Sequence, residues 1–187
     1  MAIVDIPGYV SQLKDHAVEH GLHIHDERHF VETYSLSQTW EVDLHPEDAC
    51  NGPLDLHLSI AINPRTLLSF EDVMESLGED QDPPDGYELP LTLTWSLPPV
   101  PEGTDLLGLM VDLSAIAGTE MPIEVSAVDA YPSVAEVPAR RLGVTSRLKI
   151  PLGKIFLGEE NLCPILDKCT EISNFLISKS SEWLGAS

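Results

Sequence analysis

Residues 54–63 read Leu-Asp-Leu-His-Leu-Ser-Ile-Ala-Ile-Asn, with leucine or isoleucine at every even position from Leu54 to Ile62 and Asp55, His57, Ser59 and Asn63 between or after them. A period of two puts the five aliphatic side chains on one side of an extended chain and the polar ones on the other, the pattern of a strand with one buried and one open face. Asp55, His57 and Ser59 are therefore expected to face outward.

Upstream, Tyr34, Leu36, Trp40, Val42 and Leu44 alternate in the same way with Glu41, Asp43 and His45, which predicts a strand over 34–44. The nine residues between the two runs, His-Pro-Glu-Asp-Ala-Cys-Asn-Gly-Pro at 45–53, are rich in turn formers, so the strands pair as a hairpin. Parity then places Asp43, His45, Asp55 and His57 on its open face. If His45 sits opposite Asp55, Asp43 sits opposite His57, and each aspartate stabilises a histidine across the ladder.

Downstream, Ser69 with Asp72 resembles a capping box, and Phe70, Val73, Met74 and Leu77 follow at helical spacing before Gly78. The stretch Glu79 to Gly86, EDQDPPDG, joins acids to two prolines and reads as an exposed loop. Leu89, Leu91, Leu93, Trp95 and Leu97 make another alternating strand, with Leu91, Leu93 and Trp95 inward. Residues 106–113 fit both periods, and Gly108 with the strand-rich neighbourhood favours a strand. Ile123, Val125 and Ala127, then Leu148, Ile150 and Leu152, supply two more, divided by a proline-containing loop.

Both ends are helical. Asp5 caps, Pro7 opens and Gly21 closes a first helix to His20, while Ile165, Cys169, Ile172 and Leu176 recur along a last one from Pro164 to Trp183. With no internal repeat and no linker, residues 1–187 read as a single α+β domain. Its core is an antiparallel sheet of about six strands, with the N-terminal helix and the long C-terminal helix packed on it.

Composition narrows function. No apolar run approaches the roughly 18 residues of a membrane span, and the start, MAIVDIPGYV, lacks the basic and apolar regions of an export signal, so a cytoplasmic location is expected. Cys50, Cys163 and Cys169 form no Cys-x-x-Cys pair, so free thiols are expected. Ten basic and 31 acidic residues give a formal charge of −21, and residues 66–139 hold 15 acids without one lysine or arginine. Residues 140–154 follow with Arg140, Arg141, Arg147, Lys149 and Lys154 and no acid, which suits them to fold against the protein's own acidic strands. A field this negative repels nucleic acid and anionic lipid and favours a basic protein partner.

Catalytic signatures are missing. The sequence has no Gly-x-Ser-x-Gly, no His-Glu-x-x-His, no Gly-x-Gly-x-x-Gly and no phosphate-binding loop, so no cofactor is implied. Five of seven histidines fall between His16 and His29. His16 and His20 lie one helical turn apart, and His23 and His25 share a face of an extended chain, which makes His16, His20, His23 and His25 a candidate metal set. Edge, surface and helix-end positions account for the same residues without a metal.

Three functions are compatible with these features. The first is a non-enzymatic acidic binding protein, of inhibitor, immunity, chaperone or adaptor type, that docks on a basic partner through Glu79, Asp80, Asp82 and Asp85. The second is a carrier of an apolar small molecule between sheet and C-terminal helix. The third is metal binding at the histidine cluster.

Overall fold

The computed structural model describes residues 4–50, 52, 54–78, 81–97, 99–101, 103–131, 133 and 139–185. Asp5 accepts a hydrogen bond from the Gly8 amide at 3.0 Å and caps α1, Ile6–Glu19, whose Tyr9, Val10, Leu13 and Ala17 are buried. Gly21, at φ 78, takes the left-handed conformation that turns the chain into β1, Leu22–Val31. The following strands are β2, Gln38–Pro46, and β3, Asp55–Ile62, with a short 3-10 turn, Glu47–Ala49, after β2. Next come α2, Pro64–Ser76; β4, Glu88–Ser96; α3, Leu106–Ala117; β5, Ile123–Ala130; β6, Ala139–Pro151; α4, Leu152–Leu157; and α5, Cys163–Gly185.

The six strands form one antiparallel sheet in the order β1-β2-β3-β4-β6-β5. Leu56, Leu58, Ile60, Leu91, Leu93 and Trp95 are each at most 2% exposed, as the alternation predicts, while Asp55 is exposed and His57 and Ser59 are half-buried. Each fully buried leucine or isoleucine contributes about 1.5–3 kcal/mol to stability, so this face anchors the sheet. Leu166, Cys169, Ile172 and Leu176 of α5 cover it, and the Trp95 indole N–H donates to the buried Ser173 hydroxyl at 3.0 Å. Burial pushes the Cys169 thiol up to about 12.

The predicted strand at 106–113 is a helix. Asp105 caps it through the Gly108 amide at 2.9 Å, and Gly118, at φ 71, ends it. Leu109, Leu113 and Ala117 are buried at helical spacing, whereas Leu107 and Val111, which a strand would have turned inward, are 76% and 61% exposed. The sixth strand is instead β1, whose polar sequence suits an edge position where most side chains meet water. Tyr34 and Leu36 lie exposed between β1 and β2 rather than in a strand, so β2 begins at Gln38. The Asn63 side chain accepts from the Arg65 amide at 2.9 Å, so α2 starts at Pro64 rather than at Ser69. β6 begins earlier than its apolar residues suggest, at Ala139, and pairs Arg140 and Arg147 with β5.

Candidate functional site

The sheet's second face, uncovered by α1 or α5, carries polar residues whose positions follow from the ladder. Asp43 lies opposite His57, one of the pairings that the shared face allowed, and His57 Nδ1 is 2.7 Å from Asp43 Oδ1. Arg28 of β1 donates to Asp43 Oδ2 at 2.7 Å, to Asp26 at 2.6 Å and to Glu41 at 3.3 Å. Partial burial would raise the Asp43 carboxyl, but hydrogen bonds from His57 and Arg28 outweigh it and hold the group below the usual carboxylate range. The Arg28 guanidinium is correspondingly held above its ordinary value by Asp43 and Glu41. With both Asp43 oxygens engaged, the arrangement is a cross-strand ion-pair network, suited to fixing register.

His45 does not turn to Asp55. It stands opposite His23 of β1, and the His23 Nδ1 to His45 Nε2 distance is 3.2 Å. The 3-10 turn after β2 brings Cys50 back over this pair, with Sγ 3.8 Å from His23 Nδ1 and 3.7 Å from His45 Nδ1. One ligand atom from each of the three residues lies within 4.8 Å of the others. A bulge in β1 between Ile24 and Asp26 lifts His25 out of the ladder, though its ring stays 6.0 Å from that of His45.

Of the four histidines singled out from sequence, only His23 belongs to this cluster. His20 Nδ1 is 2.6 Å from Asp167 of α5, and the His20 carbonyl accepts from the Thr170 hydroxyl at 3.0 Å, which ties α1 to α5. His16 is exposed beside the α1–α4 cleft. His29 stacks on Trp40, with ring centroids 3.7 Å apart and planes 12° apart. His45 and Cys50 were recoverable only by reading 22–31 as a strand beside β2, because that pairing alone brings His23 to them.

Two of the clefts beside α4 share Phe156 and Leu157. One, about 390 Å³, lies against α1 and is lined by Tyr9, Leu13, Phe156, Leu157 and Glu160. The Tyr9 hydroxyl donates to Glu160 at 3.1 Å. Burial, reinforced by the Glu160 charge, pushes the Tyr9 hydroxyl well above its ordinary value, and burial likewise raises the Glu160 carboxyl. The other, about 570 Å³, lies against α2 and is lined by Met74, Leu77, Asp82, Phe156 and Leu157. Phe156 and Leu157 are 40% and 48% exposed and border both clefts. Between sheet and α5, where an apolar ligand was expected, Trp95, Leu93, Cys169, Ile172 and Ser173 are buried.

Asp82 and Asp85 are exposed; Glu79 and Asp80 lie outside the described residues. Much of the basic segment is neutralised within the protein: Arg140 pairs with Asp129 at 2.7 Å, Arg147 with Glu124 at 2.7 Å and Lys149 with Glu88 at 2.8 Å. Arg147 thus meets a carboxylate, as its position after the acidic stretch suggested. Around α2, Asp72, Glu75, Asp82 and Asp85 stand exposed in a span without lysine or arginine.

Fold and surface together define an α+β protein with an open-faced antiparallel sheet and a negative surface around α2. No helix among the described residues is long and apolar enough to cross a membrane. No protein-family model, curated protein or solved structure matches the chain, so its functional reading rests on this geometry.

Proposed function

We propose that the chain is a non-enzymatic binding protein that captures a basic, amphipathic segment of a protein partner in the clefts beside α4. The observation that carries this reading is that Asp82, from the acidic loop, lines the same cleft as the exposed Phe156 and Leu157. Apolar side chains of the partner would bury against Phe156, Leu157, Met74 and Leu77, while its cations meet Asp82, Asp85 and the acids of α2. Acidic residues at such a rim accelerate encounter, and the apolar floor slows escape. Because the protein's own cations at Arg140, Arg147 and Lys149 are already paired, they compete little with a basic partner. The same charge disfavours nucleic acid and membrane surfaces.

The test uses a synthetic lysine-leucine amphipathic peptide, its charge-reversed glutamate-leucine counterpart, and stopped-flow fluorescence at low and high salt. The basic peptide binds, and raising the salt slows its association because the Debye length shrinks from about 30 Å at 0.01 M to about 3 Å at 1 M. Changing Glu79, Asp80, Asp82 and Asp85 together to Lys lowers the association rate at low salt about tenfold or more. Phe156→Ala raises the dissociation rate and leaves association nearly unchanged. Equal binding of both peptides, or a Phe156→Ala protein indistinguishable from the parent, overturns the reading.

A further inference from the structure

We propose that His23, His45 and Cys50 form a zinc-binding site at the end of the β1–β2 ladder. Three ligands of the two types best suited to zinc converge there from three separate pieces of backbone: an edge strand, its neighbour and the turn that follows it. Zinc takes imidazole nitrogen at about 2.0–2.1 Å and thiolate sulfur at about 2.3 Å in tetrahedral geometry. Those bond lengths imply edges of about 3.3 Å between two nitrogens and about 3.5 Å between nitrogen and sulfur. The observed His23 Nδ1 to His45 Nε2 distance is 3.2 Å, and Cys50 Sγ lies 3.8 Å from His23 Nδ1. Those two edges need movements of a few tenths of an ångström; Cys50 Sγ meets His45 at Nδ1, 3.7 Å away, and the ligand atoms all lie within 4.8 Å, so the third edge closes by rotation of the exposed Cys50 side chain.

The surroundings support the same assignment. His45 Nδ1 lies 3.2 Å from the Pro46 carbonyl, and the tautomer that carries its proton on Nδ1 donates there and leaves Nε2, the atom facing His23, free to bind the ion. His23 and Cys50 are exposed, so an ion reaches them from solvent. The imidazole and sulfur donors select zinc over magnesium and calcium, which take oxygen. On binding, the Cys50 thiol proton leaves to solvent as the zinc–sulfur bond forms, and both imidazoles bind as neutral donors. Three protein ligands leave the fourth position for water or an incoming ligand. The site is on the sheet, apart from the α4 clefts, and stands whether or not a basic partner docks there.

The test is performed on the full-length chain after chelator treatment. Calorimetry with zinc shows one ion per chain, and cobalt, used as a coloured substitute, gives the thiolate charge-transfer band and intense visible bands of a tetrahedral sulfur-containing site. Cys50→Ser abolishes the charge-transfer band. It also weakens zinc binding by at least the roughly 10- to 100-fold that even an outer-shell change costs, and His23→Gln and His45→Gln weaken it comparably. His20→Gln, directed at a histidine held by Asp167, leaves zinc affinity unchanged. A second measurement needs no variant: zinc slows alkylation of Cys50, followed by peptide mass spectrometry, and leaves Cys163 unaffected. Zinc affinity retained in Cys50→Ser, an octahedral cobalt spectrum, or Cys50 alkylated equally with and without zinc overturns the proposal.

Discussion

The two faces of the sheet are built from the same strands, often from adjacent residues, and are held by different forces. On the covered face, Leu56, Leu58, Ile60, Leu91, Leu93 and Trp95 are buried, and a hydrogen bond ties Trp95 to Ser173 of α5. On the open face, Arg28, Glu41, Asp43 and His57 satisfy one another while remaining about 27% to 37% exposed. Burial is non-directional and sums over area, so the covered face sets stability. Charge-assisted hydrogen bonds in partly wet surroundings contribute less energy but depend on geometry, so the open face is better suited to fixing register and presenting chemistry.

The largest expected difference between the faces comes from Leu58→Ala. Leu58 is 2% exposed at the centre of β3, and its truncation is expected to cost about 2–5 kcal/mol in urea unfolding. A loss below 1 kcal/mol would mean that the covered face is not the source of stability.

A smaller effect is expected from Asp43→Asn on the open face, on the order of 1 kcal/mol at neutral pH, with the fold retained. Its pH dependence has a defined sign. The folded Asp43 carboxyl is held below its unfolded value, so its contribution is present above the unfolded value and is lost as pH falls through the folded one. The stability gap between parent and Asp43→Asn is therefore widest above the usual carboxylate range and narrows on acidification below it. A gap independent of pH down to full protonation would remove the ion-pair account.

The smallest effect is expected where the covered face contains a flaw. The Ser146 hydroxyl on β6 is buried without a hydrogen-bond partner, and leaving such a group dry is unfavourable. Ser146→Ala is expected to raise stability by up to about 1 kcal/mol, measured by thermal or urea unfolding. Destabilisation would show that the hydroxyl has a partner.

Much of this contrast was legible in the sequence. Period-two alternation in 54–62 and 89–97 fixed which residues face inward, because a one-residue slip would expose the whole aliphatic set. The same parity put Asp43 and His57 on one open face, and Asp5 and Gly21 bracketed the first helix. The acidic surface required only counting.

Other features depended on contacts between distant segments. At 106–113 both periods matched, and α3 was decided by its Asp105 cap, its Gly118 stop and burial of Leu109, Leu113 and Ala117 against the rest of the fold. β1 carries too few inward apolar residues to declare itself and becomes a strand by pairing with β2. That pairing, with the turn at Glu47–Ala49, brings His23, His45 and Cys50 together, whereas His16 and His20, nearer to His23 in sequence, face other partners. Local pattern determined which face each strand buries, because burial repeats along the chain with the period of the backbone. Tertiary structure alone determined which histidines meet, because a cluster assembled across strands has no period in the sequence.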